Sequence, residues 1–349
     1  DGIRDVERSR GLGDVYKRQG YKPHFAGAVE AVASTGGQLV PPIMGAGAFI
    51  MAEILGISYL NIAKAAIVPA ILYYVGLYAG VHFEALKLNL ISNQNNSTSL
   101  LDLIKFKKVI PLIVPILAFL IFLIFGYTPM TAGLWALFSA FLLYLLFSWK
   151  FVIIHKRELV LTLYKLCQTA ADTIMRVVAL LASAQIIIGL ISLTGVGVKF
   201  SDIIVSLGGE SLLLSLILVA VICLILGMGL PTTGAYVLAA SILGPAVIRL
   251  GLPPLPAHLF IFYFSVLSTI TPPVCAASLL AAGLAKAPWF RTAITGVGLA
   301  IAGFVVPFSF VYSPGLLLTS GSVIDTIIPL AIMIVGIAVS YTHLTLPTN

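Results

Sequence analysis

Long uncharged stretches dominate this sequence, and they restrict the folds open to it. One stretch runs from Leu250 to Ala285 and another from Ser211 to Ile248. Hydrophobic residues make up 60% of the chain, charged residues 9%, and the mean hydropathy is +1.09. Soluble domains carry about a quarter of their residues as charged side chains. The composition therefore predicts an integral membrane protein.

Several windows are long and apolar enough to cross the hydrocarbon core of a bilayer as helices, which takes about 20 residues each. We therefore expect an all-α polytopic membrane protein embedded in the lipid bilayer. The predicted spans are 62–83, 109–126, 130–149, 174–194, 211–230, 232–249, 290–312 and 322–339.

The net charge of +7 is better explained by membrane topology than by a nucleic-acid partner. Two basic clusters flank a predicted hairpin of two spans that turns at 126–129. Cytoplasmic loops carry an excess of Lys and Arg, so we expect both clusters in the cytoplasm. Residues 150–171 are partly amphipathic and could lie on the inner membrane surface. The clusters are Lys105, Lys107 and Lys108 before the hairpin, and Lys150, Lys156, Arg157 and Lys165 after it.

Two regions share one plan, at 34–56 and at 265–287. Each has small or hydroxyl side chains, a Pro-Pro pair, and then an apolar helix of small residues. The residue before a proline is pushed out of the α region, so Val40 and Thr271 are predicted to be non-helical. Proline fits the first turn of a helix, so Thr271 is predicted to cap a helix that begins at Pro272.

Each half of these regions is too short to cross a membrane. We therefore predict two re-entrant helical hairpins, at about 24–56 and 257–285, whose tips lie at membrane depth. A third interruption, GMGLPTTG at 227–234, lies where either two spans meet or one helix unwinds. Irregular backbone at membrane depth is tolerated where protein buries it or where it lines a wet cavity. Secondary transporters bind ions and anions at such breaks.

The alternatives are structural or enzymatic. Proline kinks and small residues that permit close helix packing are common in membrane proteins. An intramembrane enzyme would need a buried Asp pair, a Ser/His pair or a metal cluster, and a channel would need a repeated filter; neither pattern is evident. The charges at Glu53, Lys64 and Arg176 raise a functional question, although snorkelling or pairing is the simpler explanation. Gln185 is expected to form hydrogen bonds between helices. The three cysteines, Cys167, Cys223 and Cys275, are expected to be small packing residues.

Three stretches resemble the large membrane subunit of tripartite ATP-independent periplasmic (TRAP) transporters, and especially the fused permease type. They are GYKPHFAGAVEAVASTGGQLVPPIMGAGAFIMAE (20–53), GMGLPTTGAYVLAASILGPAVIRLG (227–251) and FYFSVLSTITPPVCAASLLAAGLA (262–285). The resemblance implies Na⁺-driven import of organic anions, such as C4-dicarboxylates or 2-oxo acids, across the bacterial inner membrane. It also implies delivery by a periplasmic binding protein, an elevator-like movement and no cofactor beyond the coupling Na⁺. An alternative is a hairpin-type, ion-coupled anion transporter that works without a binding protein.

The same resemblance implies the candidate site residues. Cys275 stands where the family has Gly. Candidate Na⁺ ligands are Thr232, Thr269 and Thr271. The first tip comprises Ser34, Thr35, Gly36, Gly37, Gln38, Pro41 and Pro42; the second comprises Ser268, Thr269, Thr271, Pro272 and Pro273; the unwound helix comprises Gly227, Met228, Gly229, Pro231, Thr232 and Thr233.

The resemblance also sets the expected domain organisation. Residues 20–171 are predicted to hold the end of a first repeat, and 172–338 a second, inverted repeat. A small membrane subunit is expected upstream of this chain. Residues 1–19 and 339–349 resemble translated sequencing-adaptor tails and show no signal-peptide pattern. Inverted repeats need an odd number of crossings between the hairpins, whereas our spans give an even number, so either 211–249 is one broken helix or a crossing near 150–171 is miscounted.

Overall fold

The computed structural model describes residues 20–42, 44–90, 106–147, 156–208, 211–319 and 324–345, and all regular elements in these ranges are helical. This confirms the predicted all-α class. The predicted tail at 1–19, most of the polar loop before Lys105, and Lys150 lie outside the described residues. The chain divides into a first unit of residues 1–92 and 186–349 and a second unit of residues 93–185.

Short 3₁₀ turns at Gly37–Leu39 and Pro314–Leu317 supplement the α-helices. In chain order the α-helices are α1 (Pro23–Gly36), α2 (Ala46–Leu55), α3 (Tyr59–Lys87), α4 (Phe106–Ile124), α5 (Pro129–Phe147), α6 (Lys156–Thr194), α7 (Val196–Gly208), α8 (Leu212–Leu226), α9 (Thr232–Arg249), α10 (Pro254–Leu267), α11 (Ala276–Ala285), α12 (Trp289–Leu299), α13 (Ile301–Tyr312) and α14 (Ile324–Thr345).

Five of these helical stretches are long and apolar enough to cross a membrane. They are α3, α5, α9, the consecutive helices α12 and α13, and α14, and each overlaps a predicted span. The predicted span at 174–194 forms the second half of α6. No Pro, and no Gly before Gly189, interrupts this helix. For that reason 156–171 continues into the same helix, and its position at the inner membrane surface stays a prediction.

In the second unit, α4 and α5 pack against each other on either side of the predicted turn. Gly126 in this turn has φ +83, and the rings of Phe122 and Trp135 stack at 5.0 Å across the pair. The predicted hairpin of two spans is therefore present.

In the first unit, α3 is the longest helix and packs against α1, α13 and α14. Its 29 residues span about 43 Å at a rise of about 1.5 Å per residue. Two glycines allow close approach: a Cβ on Gly76 would lie 2.2 Å from the Cβ of Ala302, and one on Gly80 would lie 2.8 Å from Leu299. Larger residues at either position would separate α3 from α12 and α13.

The last helix continues beyond the position at which the sequence predicts a non-native tail. Helix α14 extends to Thr345, and Tyr341 is buried with its hydroxyl donating to the carbonyl of Leu299. Residues just after 339 thus pack in this structure, contrary to the expectation that the fold ends there. The origin of the tail sequences stays a prediction.

Candidate functional site

The first Pro-Pro region, which we name the first segment (residues 23–55), runs alongside α3 in the opposite direction. Tyr21 just before α1 donates its hydroxyl to the carbonyl of Val81, near the end of α3. Further along, Tyr73 donates to the carbonyl of Val32 at 2.9 Å. The chain from 21 to 33 therefore advances from the C-terminal end of α3 towards its middle.

Helix α2 continues in the same direction towards the start of α3. Tyr59 donates to the carbonyl of Pro42 at 2.7 Å, and Leu55 lines a cavity together with Lys64. Lys64 and Val81 are about 25 Å apart along α3 at a rise of about 1.5 Å per residue. The first segment therefore passes along α3 and does not fold back on itself.

The packing partners of α1 and α2 lead to the same conclusion. Helix α1 packs against α11 and α12, whereas α2 packs against α9 and α10; in the described residues α1 does not pack along α2. The prediction of a re-entrant hairpin at 24–56 is therefore wrong. The two short helices instead form one interrupted crossing, because each half finds its apolar partner on a different helix.

The second Pro-Pro region, the second segment (residues 254–285), crosses in the opposite direction. Its start, Pro254, lines the same cavity as Leu55. Its end, Ala285, lies against the start of α1, where a Cβ added to Gly27 would be 3.0 Å from that of Ala285. Helices α10 and α11 do not pack along each other in the part of the chain that the structure describes. The hairpin predicted at 257–285 is likewise an interrupted crossing.

The hairpin of this unit is formed by α8 and α9, which flank the GMGLPTTG interruption. These two helices pack against each other, and both pack against α10. Gly229 in the turn has φ +76, a conformation that favours glycine. Val40 before the first proline pair is extended, at φ −88 and ψ 117. A glycine reversal folds the chain back, whereas proline and its extended neighbour carry the chain forward, so the hairpin and interrupted-helix roles are exchanged relative to the prediction.

The two interruptions and the hairpin turn meet at one place, which we name the crossing point. Thr35 of the first segment and Thr269 of the second place their hydroxyl oxygens 3.5 Å apart. Gly227 in the hairpin turn lies against Ser268, since an added Cβ would be 2.3 Å from the Ser268 hydroxyl oxygen. The structure thus brings together all three predicted elements of the site.

The first interruption is held from outside by α3. The ring of Tyr73 occupies the space left by Gly36, where an added Cβ would lie 2.3 Å from ring atom Cε1. Tyr74 donates to the carbonyl of Ala33 at 2.7 Å. One backbone hydrogen bond, from the N–H of Gly45 to the carbonyl of Gln38 at 2.9 Å, closes the loop.

The other residues predicted for the first tip are more accessible. Ser34 and Gly37 are exposed. The proline pair at 41–42 is partly buried and cis. Thr35 is only 2% exposed, which leaves its hydroxyl little access to bulk water. Among these residues Thr35 is therefore the one that faces the second segment.

The second interruption is held by its own side chains. Four hydroxyls donate to backbone carbonyls three or four residues earlier: Ser265 to Ile261, Ser268 to Ser265, Thr269 to Val266 and Thr271 to Leu267, at 2.7–2.8 Å. The carbonyl of Thr269 accepts the N–H of Ala277 at 3.0 Å, which closes the loop.

Thr271 is non-helical, as predicted, but it does not cap the next helix. Helix α11 begins at Ala276, after Cys275 at φ +33, and the hydroxyl of Thr271 bonds back to the end of α10. Pro272 and Pro273, joined by a cis peptide bond, lie in the loop and not in the first turn of α11. The capping prediction fails because the N-cap position of α11 is Cys275, four residues after Thr271.

The hairpin turn contributes mainly backbone atoms, and few side chains, to the crossing point. Pro231 and Gly229 are exposed, and Met228 and Thr233 are partly buried. Thr232 begins α9 and makes no side-chain hydrogen bond to Thr269 or Thr271 within the described residues. Of the three candidate Na⁺ ligands, the two in the second segment are close in the chain, and no such contact joins Thr232 to them.

Helix ends of both kinds converge at the crossing point. The C-terminal ends of α1 and α10 carry partial negative charge, and the N-terminal ends of α2 and α11 carry partial positive charge. Hydroxyls that donate their protons to carbonyls keep oxygen lone pairs for a cation. The arrangement can therefore attract a small cation and an anionic group at adjacent positions, without a buried fixed charge.

Several other sequence candidates lie away from the crossing point. Glu53 is exposed on α2, and Gln185 is exposed on α6. Cys223 and Cys275 are buried, as expected of packing residues, whereas Cys167 is exposed and does not pack. The side chain of Arg176 lies outside the described part of the structure.

Sequence reasoning missed the aromatic side chains that position the site. Tyr59, Tyr73 and Tyr74 of α3 all bond to carbonyls of the first segment. Tyr236 of α9 bonds to Nδ1 of the buried His258 on α10 at 2.8 Å. The available signal was tyrosine within apolar spans, because a buried tyrosine hydroxyl usually has a hydrogen-bond partner.

Comparison with known proteins extends these observations. The chain matches the family model "Tripartite ATP-independent periplasmic transporter, DctM component" over residues 12–339. It is 26% identical over 265 residues to the 2,3-diketo-L-gulonate TRAP transporter large permease protein YiaN of Escherichia coli (strain K12). That match covers 76% of this chain and 60% of the relative, so the chain spans less than two thirds of the relative's length.

Proposed function

The chain belongs to the DctM component family of TRAP transporters, and we propose that its crossing point couples Na⁺ to the passage of an organic anion. Members of this family are large permease components of transporters, not enzymes. The observation that carries the proposal is the 3.5 Å approach of Thr35 to Thr269, each at the end of an interrupted helix.

The cation is assigned to the side of the crossing point where α1 and α10 end. Carbonyl oxygens and hydroxyls are the hard ligands that Na⁺ takes in unwound transporter helices. The hydroxyl oxygens of Thr35, Thr269 and Thr271 lie on this side. Thr232, also predicted as a ligand, enters this arrangement only as the first residue of α9.

The anion is assigned to the side where α2 and α11 begin. Helix N-termini favour negative charge, and a carboxylate of a C4-dicarboxylate or 2-oxo acid is the substrate group we propose. The hairpin of α8 and α9 borders the site through Gly227 and Ser268. Its displacement, together with the two segments, is the elevator-like movement that we propose.

Basic residues indicate which end of the first unit faces the cytoplasm. Lys22 precedes α1, Lys87 ends α3, Lys286 follows α11, and Arg291 lies in the first turn of α12. The contacts of Tyr21 with Val81 and of Ala285 with Gly27 place these at one end. By the positive-inside rule this end is cytoplasmic in the bacterial inner membrane, and the hairpin enters from the periplasmic side.

The opposite directions of the two segments support the inverted-repeat organisation. One Pro-Pro segment crosses towards the periplasm and the other towards the cytoplasm. Two inverted repeats, each with one interrupted crossing, would produce this arrangement. It also removes the conflict in our span count, because each Pro-Pro segment is itself a crossing, and two crossings separated by an even number of others run in opposite directions.

The partners in this proposal are a periplasmic binding protein and a small membrane subunit joined upstream. The test uses the full-length protein with its binding protein in proteoliposomes, and it follows uptake of a labelled carboxylate. We expect uptake to require an inward Na⁺ gradient. Uptake at full rate with K⁺ in place of Na⁺ would reject the coupling.

Separate variants test the assignment of the cation to the crossing point. Replacing the two facing hydroxyls, Thr35→Val with Thr269→Val, removes cation ligands worth about 1.4 kcal/mol or more. This raises the Na⁺ concentration for half-maximal uptake by about tenfold or more. Thr295→Val, which removes an exposed hydroxyl on α12, is the control. Unchanged Na⁺ dependence in the double variant would place the cation elsewhere.

The alternative transporter, which works without a binding protein, is distinguished by leaving that protein out. We expect uptake to fall to background under these conditions. Sustained uptake at the same external anion concentration would favour the alternative.

A further inference from the structure

A cavity of about 500 Å³ lies at the end of the first unit that we assign to the periplasmic side. Its walls come from four separate segments: the end of α2, the first turns of α3, the start of α10 and the chain after α13. It lies between the end of the first segment and the start of the second. None of its lining residues belongs to the crossing point.

The polar wall of this cavity carries two side chains with N–H donors, Lys64 and Asn61. Lys64 lies in the second turn of α3 and forms no ion pair in the described residues, and no carboxylate lines the cavity. Asn61 lies one turn earlier, so both side chains are on the same face of the helix. Thr319 adds a hydroxyl, which donates to the carbonyl of Pro314 at 3.0 Å. An ammonium near the end of an apolar span is costly unless it reaches an anion or water.

The remaining wall is apolar. Leu55, Leu255 and Leu317 face the same space as Lys64. A small inorganic anion would use the lysine but leave these leucines exposed to water. An amphipathic anion uses both walls, because burying apolar area contributes about 25 cal/mol per Å².

We propose that this cavity binds the headgroup of an anionic phospholipid from the periplasmic leaflet. The phosphate contacts the Lys64 ammonium and the Asn61 amide, and the upper part of an acyl chain covers the leucine wall. Lysine and arginine near the membrane surface attract anionic lipid. Because the walls belong to both segments and to α3, the bound lipid holds these elements together.

The test measures binding and stability, not transport, so its outcome is independent of the proposed Na⁺ coupling. The full-length protein is purified in neutral detergent, and its thermal unfolding midpoint is measured with phosphatidylglycerol, phosphatidylcholine or soluble glycerol phosphate. Lys64→Gln is compared with Lys87→Gln, which replaces a likewise exposed lysine at the other end of the same helix, away from the cavity. We expect phosphatidylglycerol alone to raise the midpoint by several degrees, in the wild type and in Lys87→Gln but not in Lys64→Gln.

Native mass spectrometry provides a second measurement should Lys64→Gln be unstable from the start. We expect the variant to lose one retained phosphatidylglycerol molecule relative to the wild type. Equal stabilisation by phosphatidylcholine, equal stabilisation by glycerol phosphate, or full retention of phosphatidylglycerol by Lys64→Gln would each overturn the proposal. Protection of Lys64 from amine-reactive reagents by the binding protein but not by phosphatidylglycerol would also overturn it, in favour of a protein contact.

Discussion

The two Pro-Pro segments have the same plan but are stabilised in different ways. Each consists of a 14-residue helix that begins with proline, an interruption, and a 10-residue helix. The second interruption is held by hydroxyls from its own residues 265–271. The first is held by tyrosines of α3, in particular Tyr73 and Tyr74.

The conformation of one interruption is specified by nearby residues, and that of the other by tertiary contacts. Serine and threonine reach carbonyls three or four residues back without help from the rest of the chain. The order of the second interruption is therefore encoded within a few residues. Among the described residues of the first interruption, only Ser34 bonds in this way, to the carbonyl of Ala31 at 3.2 Å. Its geometry depends on the tyrosine ring that fills the space beside Gly36.

The largest effect is expected from filling that space. Gly36→Ala places a Cβ 2.3 Å from the ring of Tyr73, and such overpacking costs about 1–3 kcal/mol. We expect a lower thermal unfolding midpoint and reduced uptake. The adjacent Gly37→Ala meets no atom within 4 Å and is the control. Equal midpoints for the two variants would show that α3 does not hold the first interruption.

The contact between the hairpin turn and the second segment is tested next. Gly227→Ala brings a Cβ to 2.7 Å from the Cβ of Ser268, which we expect to cost about 2 kcal/mol. Ser268→Gly should recover part of this loss in a double-mutant cycle of unfolding free energies. Gly234→Ala, with open space around it, should change little. Strict additivity of the first two changes would mean that the turn does not touch the second segment.

A smaller effect is expected from removing one tyrosine hydroxyl. Tyr73→Phe keeps the ring in place but leaves the Val32 carbonyl with one fewer hydrogen bond, a loss of about 1 kcal/mol. Tyr78→Phe, on the same helix and 73% exposed, is the matched control. Both are compared by thermal unfolding in detergent. A larger loss in the exposed variant would contradict the assigned role of Tyr73.

The smallest effect concerns Cys275, which has φ +33. A left-handed conformation costs a non-glycine residue about 1–2 kcal/mol. Cys275→Gly relieves this cost but loses a buried side chain, so we expect a gain in unfolding free energy of at most about 1 kcal/mol. Cys275→Ala keeps the strain and loses the sulfur, so it should be destabilising. The same sign for both variants would indicate that packing outweighs backbone conformation here.

The left-handed backbone at Cys275 also suits the glycine that the family resemblance implies at this position. Cysteine in place of glycine therefore costs backbone free energy at this one position, and the interruption still forms. The proline pairs allowed the positions of both interruptions to be predicted, since proline excludes helix from the preceding residue. The proline pairs could not predict whether the chain continues forward or folds back after each interruption.

Sequence patterns were enough to predict the helical membrane class, most of the spans and the positions of the three interruptions. These follow from apolar run length and from proline and glycine backbone preferences, which act over a few residues. The opposite directions of the two Pro-Pro segments and the hairpin turn at GMGLPTTG became visible only in the packing between helices. The direction depends on which distant surfaces the short helices α1, α2, α10 and α11 bury. A contact such as that between Thr35 and Thr269 joins residues too far apart in the chain for local preferences to specify.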